Sequence, residues 1–170
     1  MRNRVIWFTG LSGAGKTTLA LATKKALEAM HLKCIVLDGD QIRKGLCSDL
    51  GFSETDRSEN VRRVVEVAKL FLEEDFFVLV SVISPHEKDR KNVRELVGES
   101  RYCEVYVSTP LHVCEKRDLK GLYKKAHNSE LHNFTGISSN YEAPKNPHLV
   151  IDTSKLEINQ AVSQILAFVK

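Results

Sequence analysis

"RVIWFTGLSGAGKTT", residues 4–18, joins an apolar, β-branched run to a glycine-rich turn and then to helix-forming sequence. Its spacing, with Gly10, Gly15, Lys16 and Thr17 in register, fits the phosphate-binding loop G-x-x-x-x-G-K-[ST]. Glycines are needed there because backbone N–H groups must converge on phosphate oxygens through φ values that side chains obstruct. Gly10, Leu11, Ser12, Gly13, Ala14, Gly15, Lys16, Thr17 and Thr18 therefore form the nucleotide-donor half of a site. Lys16 reaches the β- and γ-phosphates, the Thr17 hydroxyl serves Mg²⁺, and the following helix turns its positive end to the same anion. A chance match of this pattern is expected in under about one chain in a hundred. The loop points to ATP and Mg²⁺ but does not name the acceptor.

Outward from the loop, apolar runs recur at 33–38, 76–83, 103–108 and 148–152. Each is short and flanked by turn formers or charge, as strands buried on both faces should be. Between them lie helical periods. Val61, Val64, Val65, Ala68 and Leu72 share one face, Leu19, Thr23, Ala26 and Met30 trace a weaker stripe, and residues 156–170 close the chain as a helix. Alternation of this kind predicts a three-layer α/β fold with a mainly parallel, five-stranded sheet and helices on both faces. Residues from about 117 to 147 break the pattern, being polar, basic and rich in Gly, Asn, Ser and Pro. Such a stretch inside a compact domain is expected to be a mobile lid. No repeat or linker divides residues 1–170, so one domain is expected.

Composition narrows the function classes. With 42% hydrophobic and 28% charged residues, a disordered or collagen-like chain is excluded. A net charge of +3 without a basic, aromatic-interleaved stripe argues against nucleic acid and suits a small anionic ligand. No apolar run approaches the roughly 20 residues needed to span a bilayer. Residues 1–4 lead into strand-like sequence without a signal-peptide core, so a cytoplasmic protein without a membrane partner is expected. The four cysteines (Cys34, Cys47, Cys103, Cys114) lack metal-ligand spacing and read as reduced thiols.

Ligands of open α/β sheets sit at the carboxyl ends of the strands. The second run ends in "LDGDQIR", placing Asp38, Asp40 and Arg43 beside the phosphate loop. One carboxylate there can hold the water ligands of Mg²⁺ and another can accept a proton from an attacking hydroxyl. Spacing equally admits Asp40 as the cap of a short helix. In "GFSETDRSEN", Ser53 and Asp56 fit a capping box, and Arg57 and Asn60 follow on one side of the helix it starts. Arg57 by itself reads more readily as a solvated arginine than as an anion ligand. Phe52 is either a staple against that helix or a stacking surface for a base. In "ISPHEKDR", Ser84 reads as a helix cap with Pro85 at the first helical position, or as a hydroxyl facing the crevice, and His86 reads as a surface residue.

Taken together, these residues are similar to the adenylyl-sulfate kinases. The resemblance runs from "GLSGAGKTT" through "LDGDQIRKGL", "DLGFSETDRSENVRRVVEVAKL", "ISP", "EVYVSTPLHVCEKRDLKGLYKKA" and "FTGISSNYEAP" to "IDT", in order and over nearly the whole chain. It implies a P-loop NTPase fold and transfer of phosphate from ATP, with Mg²⁺, to the 3′-hydroxyl of adenylyl sulfate, as well as a homodimer. It also implies that Phe52 and Phe134 sandwich the adenine of the acceptor, and that Arg43, Arg57 and Asn60 hold its phosphosulfate and ribose. Ile83 and Ser84 border that pocket, Ser84 being the family's proposed phosphoenzyme serine. Asp40 stands near the 3′-hydroxyl and Asp38 near the metal. Lys120 reaches the substrates from the lid, and Arg117, Asp152 and Thr153 border the adenine of ATP. The chain departs from the family at His86-Glu87, where an aromatic residue and Arg are usual, and at "AHNSEL" (126–131), where "ARxGEI" is usual. A kinase of this architecture acting on another modified nucleotide, and a non-catalytic nucleotide-binding protein, are the competing readings.

Overall fold

The computed structural model describes residues 3–169, so that Met1, Arg2 and the expected helix end at Lys170 lie outside it. Five strands, β1 (Val5–Thr9), β2 (Cys34–Asp38), β3 (Phe77–Ser81), β4 (Tyr102–Val107) and β5 (Leu149–Ile151), pair in parallel in the order β2-β3-β1-β4-β5. The three central strands are almost wholly buried, which is why their sequences run apolar without alternation. Edge strand β2 is less completely buried, with only Leu37 fully in the core.

Residues of alternate parity in β1 face opposite layers. Ile6 and Phe8 pack with α1 (Lys16–Ala29) and α7 (Ile158–Val169), and Val5 and Trp7 with α3 (Glu54–Glu73) and α4 (Glu87–Val97). The expected face of α3 is buried as read, from Val61 to Leu72. On α1 the buried stripe is Leu19, Ala20, Thr23 and Leu27, whereas Met30 ends the helix 40% exposed. Each large apolar side chain so buried contributes roughly 1.5–3 kcal/mol. All four cysteines are free, and three are buried.

Short helices α2 (Gly39–Lys44), α5 (Leu111–Arg117) and α6 (Leu122–His127) complete the fold. The expected 117–147 segment is more anchored than its polar composition suggests. Tyr123, Ala126 and Phe134 from it join the core beneath α1, because a few apolar residues at wide spacing suffice to pin a loop. Strands β2 and β3 lie on one side of β1 and β4 and β5 on the other, so the chain reverses direction across the sheet at β1. The carboxyl end of β1 is therefore the place where a crevice opens.

Candidate active site

A cleft of about 680 Å³ opens there, lined by Ser12, Gly13 and Gly15 to Thr18 on one wall and by Asp40, Arg43, Phe52, Arg57, Asn60 and Ser84 on the other. The loop's conformation depends on its glycines. Gly10 has φ 149°, and a Cβ on it would come within 2.5 Å of the Val107 carbonyl oxygen. Gly15, at φ 105°, caps α1 in the left-handed region. The loop carbonyls are tied back from behind. Thr109 and Thr153 hydroxyls both donate to Ala14 O (2.9 and 2.7 Å), Tyr123 donates to Ser12 O (2.9 Å), and Arg117 donates to Gly13 O (3.2 Å) and to Thr153. With the carbonyls engaged, the loop's N–H groups other than that of Ala14, which donates to Leu11 O at 3.2 Å, are left for an anion. Thr109 was not legible as a site residue. It follows a buried strand with no motif of its own.

Lys16 is nearly buried and donates to Gly10 O (2.9 Å) and Leu11 O (2.7 Å). Burial lowers its pKa to about 8, partly offset by nearby groups including Asp40 and Asp38. Thr17 Oγ1 donates to Asp38 Oδ2 at 2.8 Å and lies 3.1 Å from Ser81 Oγ. These hard oxygen donors suit Mg²⁺, which keeps several waters and needs few protein ligands. Among the described residues no group of three or more His, Cys, Asp or Glu is arranged to hold a metal ion. Ser81 is an addition to the expected set, brought in because its register partner across β2 and β3 is Asp38.

Asp38, not Asp40, caps α2. Its Oδ1 accepts from the N–H groups of Asp40 (3.1 Å) and Gln41 (3.4 Å). Asp40 is thereby free of a capping role and forms a salt bridge with Lys120, which arrives from the 117–147 segment. Ser53 caps α3 as expected, its Oγ accepting from Asp56 N at 3.1 Å, while the Asp56 carboxylate accepts from the Ser53 hydroxyl (2.7 Å).

Arg57 is 8% exposed rather than solvated, because its guanidinium donates to the carbonyls of Phe52 (3.0 Å) and Asn133 (2.5 Å) inside the cleft. Arg43 donates to Gly51 O at 2.9 Å. Burial lowers the pKa of both arginines, and Arg43 adds repulsion at Arg57. Neither forms a salt bridge with a carboxylate among the described residues, so two adjacent cations await an anion. Asn60 is buried with Oδ1 unpartnered, leaving an acceptor for a hydroxyl.

Phe52 is 48% exposed, with the Arg43 guanidinium 4.5 Å from its ring centroid. Phe134 reaches the same cleft but is only 7% exposed, packed edge-on against Tyr123 at 4.9 Å. Ser84 is not a helix cap. α4 begins two residues beyond Pro85, and His86 precedes it without a side-chain cap. Ser84 instead has φ 40° and its Oγ accepts from the Trp7 indole at 3.1 Å. No carboxylate or imidazole accepts from that hydroxyl among the described residues. His86 is half-buried, not superficial, and its Nε2 lacks a partner. Gly10, Leu11 and Ala14 form the root of the loop rather than the cleft lining, and Asp152, just after β5, is also outside the lining, its carboxylate holding the turn at Ser154 (2.9 and 2.6 Å). Ile83, Arg117, Lys120 and Thr153 line the cleft. Within the two departures from the family pattern, Glu87 pairs with Lys145 (3.1 Å) and His127 with Glu115 (2.9 Å); none of these four residues lines the cleft, whereas Leu131 does.

Residues 2–152 match the sequence profile of the family described as Adenylylsulphate kinase. An adenylyl-sulfate kinase from Bacteroides thetaiotaomicron is 50% identical over 165 residues, covering 97% of this chain and 82% of that protein. One from Escherichia coli O1:K1 is 54% identical over 165 residues, with the same coverage of 97% and 82%. The APS kinase of Mycobacterium tuberculosis, solved in complex with AMPPNP and APS, superposes with a TM-score of 0.94 at 41% identity, covering 98% of this chain and 97% of that one.

Proposed function

This chain belongs to the adenylylsulphate kinase family, and from that premise we propose how its residues move the γ-phosphate of ATP to the 3′-hydroxyl of adenylyl sulfate. The products are 3′-phosphoadenylyl sulfate and ADP. One observation carries the assignment of the acceptor. Two cations without carboxylate partners, Arg43 and Arg57, flank the Phe52 ring across the cleft from the phosphate loop. A planar base with an anionic tail is what such a wall recognises.

Gly10–Thr18 hold the ATP phosphates, with Arg117 and Thr153 beside the donor base. Arg43, Arg57 and Asn60 hold the acceptor's phosphosulfate and ribose, and Phe52 and Phe134 enclose its adenine. Thr17 and Asp38 would hold Mg²⁺, which when bound neutralises charge on the β- and γ-oxygens. Asp40 orients the 3′-hydroxyl and takes its proton, and Lys120 brings a cation from the lid. Phosphoryl transfer needs positioning and charge neutralisation more than covalent help. Transfer is therefore direct and in line, and Ser84, without a base to activate it, lines the site and is not phosphorylated. We extend this reading to a cytoplasmic homodimer on the strength of the family resemblance; among the described residues no helix is long and apolar enough to cross a membrane.

ADP release measured with adenylyl sulfate, AMP and no acceptor tests the function. Adenylyl sulfate alone should raise release well above the control, and equal rates in all three would overturn the reading. Phe52→Ala tests the acceptor wall. Loss of a stacking contact worth about 1–3 kcal/mol should raise KM for adenylyl sulfate roughly 5- to 150-fold and leave KM for ATP unchanged. Equal shifts in both constants would move Phe52 out of the acceptor site.

A further inference from the structure

Behind the Ile83–Ser84 turn runs a directed chain of hydrogen bonds made by residues that do not line the cleft. Thr9, the last residue of β1, is fully buried, and its Oγ1 donates to Ile83 O at 2.7 Å. The Tyr141 hydroxyl lies 2.9 Å from the same Oγ1. A carbonyl only accepts and a threonine hydroxyl has one hydrogen, so Tyr141 is the donor of that second bond. The relay thus reads Tyr141 O–H to Thr9 O–H to Ile83 C=O. Tyr141 is held for this task, its ring stacked on Tyr106 at 6.0 Å and 23°.

The same turn is gripped from the other side. Arg90, 3% exposed, donates to Ser84 O (2.7 Å) and to Glu142 O (2.5 Å), while its Nε faces Glu104 at 3.3 Å. Glu142 N–H donates to Pro85 O at 2.9 Å, and Glu142 Oε2 accepts from Glu87 N at 2.6 Å. Residues 141–142, near the end of the lid segment, are therefore fastened to the base of the donor loop and to the acceptor wall at once. The turn needs fastening because Ser84 sits at φ 40°, a conformation that non-glycine residues rarely adopt and hold only when their surroundings impose it.

We infer that Tyr141 and Thr9 are positioning residues for the acceptor. By fixing the Ile83 carbonyl they set where Ile83 and Ser84 meet the bound adenylate, without touching it. The kinetic part of this inference rests on the function proposed above; the placement of the turn does not.

Tyr141→Phe, Thr9→Val and the double variant test it, with Trp7 as an independent reporter. Trp7 is the only tryptophan in the chain and its indole N–H donates to Ser84 Oγ, so a ¹H–¹⁵N spectrum carries a single indole signal from the turn itself. That signal should move in both single variants, and the double variant should match Thr9→Val because Tyr141 acts only through Thr9. KM for adenylyl sulfate should rise roughly three- to tenfold, the loss of one hydrogen bond, with KM for ATP within about twofold. An indole signal unmoved in both single variants overturns the inference, as do equal rises in both KM values or additive effects in the double variant. Should Thr9→Val fail to fold, the Tyr141→Phe signal and KM split decide alone. If the parent protein fails to phosphorylate adenylyl sulfate, the function falls while the indole signal still judges the relay.

Discussion

Asp40→Asn should lower kcat for transfer to adenylyl sulfate by about 10²–10⁴, the span typical of a lost general base. ATP affinity should stay within about twofold, because the loop carbonyls and the Thr17–Asp38 pair do not depend on Asp40's carboxylate. The capping of α2 by Asp38 makes the test clean. Asp40 contributes its backbone N–H to that cap, which asparagine retains. The substitution also removes the charge that pairs with Lys120. If Asp40 served only to park that lysine, kcat would be preserved and the KM values would shift. Rapid-quench turnover together with nucleotide titration separates the two outcomes, and parent-like turnover would remove Asp40 from the mechanism.

Lys16→Met should lower kcat by about 10²–10³, the loss expected when a preorganised charge is deleted opposite developing transition-state charge. The fold should survive. Burial already pushes the Lys16 pKa down to about 8 from 10.5, so the charged form is disfavoured in the folded protein. That penalty is fully present below pH 8 and fades as pH rises toward the unfolded value. The Met variant should therefore melt no lower than the parent at neutral pH, and its advantage should shrink above pH 8. Nucleotide binding has the opposite sign. Phosphates favour the protonated amine, so ATP binding takes up a proton once the free lysine begins to lose it. Parent affinity should be flat below pH 8 and fall by up to about tenfold per unit above it. The variant should lack this slope. Calorimetric titration across that range, in buffers of differing ionisation enthalpy, reads both.

Elements of the site differ in how far they could be read beforehand. The phosphate loop was legible because its chemistry is local: consecutive backbone N–H groups, with glycines where side chains cannot fit. Arg57 was not. As one arginine in a charged stretch it resembled a solvated residue, and its burial follows from the Phe52 and Asn133 carbonyls, the second of which lies 76 positions away. At Ser84 the sequence left a helix cap and a crevice-facing hydroxyl both open; no cap forms, and the hydroxyl accepts from an indole on β1 that local pattern does not reach. Phe134 was expected to face a base and is mostly held by Tyr123.

By itself the sequence determined the alternation of strands and helices, the parallel sheet, the donor loop and the family. These follow from short-range periodicity and from backbone geometry that particular residues impose. Only the tertiary structure decided which of two aspartates caps α2, that Ser81 joins the Thr17–Asp38 pair, and that Tyr141 braces the acceptor turn through Thr9. Each is a hydrogen-bond choice between segments distant in the chain, and such choices are made by burial and distance, which exist only after the chain has folded.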